Sequence, residues 1–148
     1  MKTSPLQLDH HFMTVLHLEA GPNAGEQAPV VAASTRAAPD GQNPQKWCVQ
    51  IIVELNNPEK SIAAYTGRIE FIGYFTVDDK FPKDKVEQLA RVNGASILYA
   101  AAREMIANIT GRGPWRAIQL PSVSFVEDAP KDKVPTHTAE SAVAQSAK

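Results

Sequence analysis

A chain of 148 residues is enough for one domain with a modest appendage and too short for a multidomain assembly. At 43% hydrophobic, 21% charged and 7% aromatic residues it has an ordinary globular composition, which excludes a wholly disordered or disulfide-scaffold class. Its 15 Lys and Arg stand against 16 Asp and Glu with no run of either sign, so the basic footprint of a nucleic-acid binder is absent.

Strand 1 is predicted by alternation: Leu6, Leu8, Phe12, Leu16 and Leu18 fall on one parity, with Gln7, Asp9, His11, His17 and Glu19 on the other. Gly21, Pro22, Asn23 and Gly25 make a turn, and Val30 to Arg36 reads as a short strand. Ala37 to Lys46 is a loop by its Pro, Asp and Gly content. Strand 3 spans Trp47 to Leu55, with Trp47, Val49, Ile51, Val53 and Leu55 on its apolar face. Strand 4 spans Ser61 to Val77, where Gly67 and Gly73 on the apolar parity leave room for a bulge or a close helix backbone. Strands in this succession predict an antiparallel meander with one apolar face, which needs a cover.

The cover begins after the charged stretch Asp78 to Lys85. Val86 to Val92 reads as a short helix that Asn93 and Gly94 interrupt, and Ser96 is placed to cap a second one ending near Thr110. On that helix Leu98, Ala101, Ala102, Met105, Ile106 and Ile109 form an apolar arc wider than one sheet face requires, which implies a further contact such as a second copy. Trp115 to Phe125 is extended and apolar. From Asp128 onward there is no aromatic residue, Leu or Ile, so the expected division is a domain over 1–127 and a flexible tail over 128–148, within which Ala139 to Ala147 could form at most a weak helix.

No constellation predicts catalysis, a metal or a cofactor. His10 and His11 are adjacent on a strand and point to opposite faces, and no Cys pair accompanies them. Arg103 and Glu104 diverge by a helical step, and the neighbours of Cys48 supply nothing that activates a thiol. Gly111-Arg112-Gly113 ends a helix, whereas anion cradles open one. The lone Cys48, an amino-terminal stretch without an apolar core and the lack of a long apolar run predict a cytoplasmic protein with no membrane insertion.

The segment Ser96-Ile97-Leu98-Tyr99, Ala102-Arg103-Glu104, Ile106, Ile109, Arg112-Gly113, Trp115, Ile118, Leu120 and Pro121 through Val123 to Phe125 resembles the SecB family of bacterial preprotein-export chaperones. Leu18-Glu19-Ala20 with Pro22-Asn23-Ala24 resembles the end of the family's first strand. The resemblance implies an α+β fold, a four-stranded antiparallel sheet with a long helix and a short preceding helix on one face. It also implies a dimer of dimers joined through the long helix and first strand, here Phe12, Leu98, Ala102, Met105 and Ile109. The implied activity is ATP-independent holding of unfolded polypeptides, preproteins among them, and Phe75, Phe81, Trp115, Leu120, Val123 and Phe125 are the candidate binding residues. An acidic outer sheet face would meet the motor SecA. Glu19 and Glu70 fit that role, but Val15 and Arg68 stand where acids are expected, so any SecA contact should be weak. The sequence also has no amphipathic run after Phe125 where the family has a second helix. These departures suit a rival reading: a protein of the same fold dedicated to one partner, such as a toxin–antitoxin system.

Overall fold

The structure, a computed structural model, describes residues 1–126; the expected tail over 128–148 lies outside them. Four strands, β1 (Leu6–Ala20), β2 (Val30–Pro39), β3 (Lys46–Asn56) and β4 (Tyr65–Val77), form one antiparallel sheet in the order β1-β4-β3-β2. The expected meander is therefore corrected at its start, because β1 pairs with β4 rather than with β2. The connection after β1 crosses the β3–β4 loop instead of closing a hairpin. The Gly21 amide donates to the Ala64 carbonyl (2.8 Å), and the Glu26 amide donates to the Ile62 carbonyl (3.0 Å). This leaves β1 and β2 as the two sheet edges.

In β3 the alternation holds residue by residue, and in β4 it holds apart from Gly67 and the buried Glu70, placing Val49, Ile51, Val53, Ile69, Phe71 and Phe75 in the core. β1 does not keep one parity. Its register against β4 shifts between Leu8 and His10 and again between Met13 and Val15, and each bulge moves the following residues to the other face. Phe12 consequently lies opposite Ile72 on the outer face, and His11 opposite Gly73 on the inner one. β4 starts at Tyr65 rather than Ser61, because Asn57 Oδ1 accepts the Ala63 amide (2.9 Å) and holds the preceding residues in a turn.

A helical run covers the inner face: a 3-10 turn (Lys83–Lys85), α1 (Val86–Leu89), a π turn (Ala90–Gly94) and α2 (Ala95–Thr110). Asn93 and Gly94 do not break it, as the sequence led one to expect. Widening to a π turn keeps the backbone bonded, and Ser96 is no cap but donates its hydroxyl back to the Val92 carbonyl (2.8 Å). Gly94 is buried where a Cβ would stand 3.0 Å from a Val49 methyl, and a Cβ on Gly73 would stand 2.8 Å from Leu98 Cδ2. Two missing side chains thus let the helix settle closely on the sheet, as the position of Gly73 had suggested.

After α2 the chain turns back and runs extended along the helix. Thr110 Oγ1 accepts the Ile118 amide (2.9 Å), and the Tyr99 hydroxyl donates to the Pro121 carbonyl (2.8 Å). Leu120 and Phe125 are each 3% exposed under this cover. Tyr65 ties the turn to the sheet: its hydroxyl accepts the Trp115 amide (3.0 Å) and lies 3.1 Å from the Thr110 carbonyl. Tyr65→Phe leaves these groups unpaired and should cost about 1–3 kcal/mol in a urea titration.

Candidate functional site

Where β4 ends at Val77 the chain swings through Asp78–Pro82 before the helical run has begun, so the start of β3 is left partly uncovered. An open groove of about 540 Å³ lies there, with apolar walls from Pro39, Pro44, Trp47, Val77, Phe81 and Val86. Trp47 is its floor, 7% exposed, with the indole N–H donating to the Pro44 carbonyl (3.1 Å). Asp78, Asp79, Asp84 and Glu87 also line it, against Lys83. The Lys80 amide donates to Asp78 Oδ1 (2.9 Å) and holds that carboxyl below the ordinary carboxylate range. Phe81 is shared with a second cleft of about 220 Å³ that continues past Leu89 and Val92 to the exposed Val126. Together they make an apolar track with a charged lip.

Of the residues expected to bind polypeptide, Phe81 stands in this track and Val123, 39% exposed, lies on the return segment. Phe75 is 0% exposed beneath the helix, and Leu120 and Phe125 belong to the core, Phe125 packing edge-on to Tyr99 at 5.9 Å. These three are corrected to core residues. Trp115 is at the other end of the sheet, its indole N–H donating to the Gly21 carbonyl (3.0 Å), about 40 Å of β4 away from Phe81. Trp47 and Val86 were missed. Alternation assigns Trp47 to the core face, and the one further hint is its place at the strand's first turn beside the Pro44 loop.

The expected interface is divided in a similar way. Leu98 and Ala102 are fully buried within the chain, a correction, while Met105 and Ile109 are half-buried. The return segment accounts for one flank of the wide apolar arc by covering Tyr99. The other flank stays open: Ala101 and Met105 face a cleft that His11 and Phe71 close from the sheet side, and Ile97, one turn earlier, is 37% exposed. Met13 and Leu16, 37% and 43% exposed, continue that apolar surface along the edge strand.

The face turned away from the helix carries two charge networks. Lys46 Nζ lies 3.0 Å from Asp9 Oδ2, and Thr76 donates to the same carboxylate. Arg68 donates to Glu70 from two nitrogens and to Glu54 (3.3 Å), while Gln50 also donates to Glu70 (3.2 Å). The bonds from Lys46 and Thr76 hold the Asp9 carboxyl below its usual range. A depressed folded-state value stabilises the fold above the unfolded value near pH 4 and stops doing so as pH falls through the depressed one. Asp9→Asn should therefore flatten the acid limb of a stability–pH curve below about pH 4 and leave its neutral region nearly level. Cys48 is half-buried on the same face, where burial pushes its thiol up.

The family model described as Preprotein translocase subunit SecB matches residues 7–127. The chain belongs to the SecB family. Among solved structures it is similar to the Mycobacterium tuberculosis Rv1957 SecB-like chaperone in complex with a ChAD peptide from the Rv1956 HigA1 antitoxin. The TM-score is 0.62 at 17% identity, over 81% of this chain and 88% of that one. A Streptococcus agalactiae protein of unknown function aligns with a TM-score of 0.42 at 12% identity, over 79% of this chain and 97% of that one. No curated protein sequence matches. The SecB-like sheet and packed helix expected from the resemblance are thus present. Of the residues expected to face SecA, Glu19 is exposed beside His17 (3.5 Å). Glu70 is 8% exposed and already engaged by Arg68 and Gln50, so it offers no free carboxylate to a basic partner. Among the described residues no helix is long and apolar enough to cross a membrane.

Proposed function

We propose that this SecB-family protein is an ATP-independent, non-enzymatic cytoplasmic holdase that takes extended apolar segments of unfolded polypeptides along the Trp47–Phe81–Val126 track. One observation carries the reading: an open apolar groove of about 540 Å³, continued across Phe81 by a second cleft. Burial of a client's apolar side chains there needs no nucleotide, and an elongated track holds neighbouring side chains of one segment together, so weak contacts combine into useful avidity. The uncovered stripe of Ile97, Ala101 and Met105 with Met13 and Leu16 supports assembly through the long helix and first strand, a dimer of dimers in the SecB manner.

A dedicated partner is the second reading, and the outer face favours it over export. Arg68 is bonded to both Glu70 and Glu54, which leaves that cluster a single net negative charge and weakens the acidic surface on which docking to SecA depends. The similar Rv1957 holds a peptide of an antitoxin, and a single cognate segment would fit the same track here. Light scattering of several unrelated unfolded proteins decides between them. Suppression of aggregation for all at stoichiometric ratios supports the general holdase. Suppression for none, with one stoichiometric polypeptide recovered on purification from the native host, supports the dedicated one.

A further inference from the structure

We propose that the sheet face turned away from the helix is a separate self-association surface, on which two copies of this chain stack through Phe12, Val15, Ile52, Ile72 and Tyr74. The first β1 bulge puts Phe12 there, where an unbroken strand would have turned it inward, and the second returns Val15 to this face. Phe12 is 44% and Val15 36% exposed, while the His10 ring stacks on Tyr74 at 4.8 Å and Phe12 lies 6.3 Å from the same ring. The result is an apolar and aromatic patch of Phe12, Ile72 and Tyr74 toward the β1 edge, with Val15 and Ile52 on either side of Glu70, bounded by Asp9 and Lys46 at one end of the strands, by Glu54 and Arg68 at the other and by Gln50 and Arg36 on the β2 side. An apolar centre with a polar rim is the anatomy of a protein interface.

Charge selects the occupant. A face with a strong net charge repels its own copy, but here the cations Lys46 and Arg68 are bonded to carboxylates of the same face and the exposed Arg36 and Glu19 are of opposite sign, so a second copy meets little net field. A strongly acidic or basic partner would have to break those pairs, and a nucleic acid would find too few free cations for its phosphates. Size agrees: strands about 4.8 Å apart and about ten paired residues long give four strands a face of roughly 650 Å², close to the roughly 800 Å² per partner of a standard interface. The surface lies across the sheet from the polypeptide track, so the inference stands apart from the proposed function.

Sedimentation velocity of the full chain over a wide concentration range, in high salt, tests it. The expected result is a final doubling of mass for wild type that Phe12→Glu/Val15→Glu abolishes, while Met105→Glu, which lowers the helix-side assembly and so the starting mass, still doubles from that lower mass. Both altered side chains are exposed, so the thermal melt should be unchanged; Val15→Glu alone replaces the pair if the double variant loses its fold. The proposal is overturned if the wild type shows no such doubling or if the outer-face variant sediments as wild type does. A doubling abolished by Met105→Glu alone, or a single-stranded oligonucleotide retained by wild type and lost with Phe12→Glu, would equally overturn it.

Discussion

Leu98→Lys is expected to give no cooperatively folded protein, whereas Met105→Lys, about two turns further along the same helix, should fold and lose only helix-side assembly. Leu98 is 0% exposed and lies over Gly73, where no side chain could shift to make room. Deleting a buried Leu side chain costs about 2–5 kcal/mol in packing alone, and an ammonium left unpaired in the core adds several more. The sum reaches the 5–15 kcal/mol, roughly, that holds a domain of this size together. Met105 is half-buried at the edge of the cleft that His11 and Glu104 also line, so a lysine there can reach water with its charged end. Circular-dichroism melts separate the outcomes: no transition for the first variant, and one within a few degrees of wild type for the second. The second should also sediment at a lower mass, since its charge enters the proposed assembly surface.

Phe81→Asp should weaken binding of an unfolded polypeptide about tenfold or more while leaving the fold intact. Phe81 is half-buried at the junction of the two clefts, so its ring is shared between the core and whatever occupies the track. Contact with a phenylalanine ring contributes up to about 1.5–3 kcal/mol, and losing half of that is already near one decade in affinity. The aspartate also brings a further carboxylate beside Asp78, Asp79 and Asp84, which deters apolar segments by its hydration. Titration of a fluorescently labelled unfolded peptide measures the change. Trp115→Phe is the control: it sits at the far end of the sheet and should leave the affinity within about twofold, at the cost of one hydrogen bond to Gly21.

The inner strands were legible because both period and burial speak with one voice in them: Val49, Ile51, Val53 and Leu55 are all at 0–1% exposure. β1 was not, for a local reason. A bulge is a one-residue shift that leaves composition untouched, so Phe12 keeps its place in an alternating string while its side chain changes faces. Helix continuity through Asn93 and Gly94 was hidden likewise, since a π turn and a helix break begin with the same residues; what decides is the packing of Gly94 against Val49 and Phe75. The binding residues were the least legible. Phe125 and Phe81 look alike in sequence, and only the course of the return segment puts the first under cover and leaves the second at the lip of a groove. The family resemblance, by contrast, was carried by the helix and the segment after it, where side chains on both flanks of α2 are fixed at once by the sheet and by Leu120 and Phe125.

Hydrogen exchange of the full chain with and without an unfolded polypeptide tests the central claim most directly. If the track holds the polypeptide, added protection should concentrate in the segments around Trp47 and from Asp78 to Leu89, with the turn at Gly111 to Trp115 unchanged. Protection confined to the Gly111–Trp115 end, or none in the segment that carries Phe81, would contradict it.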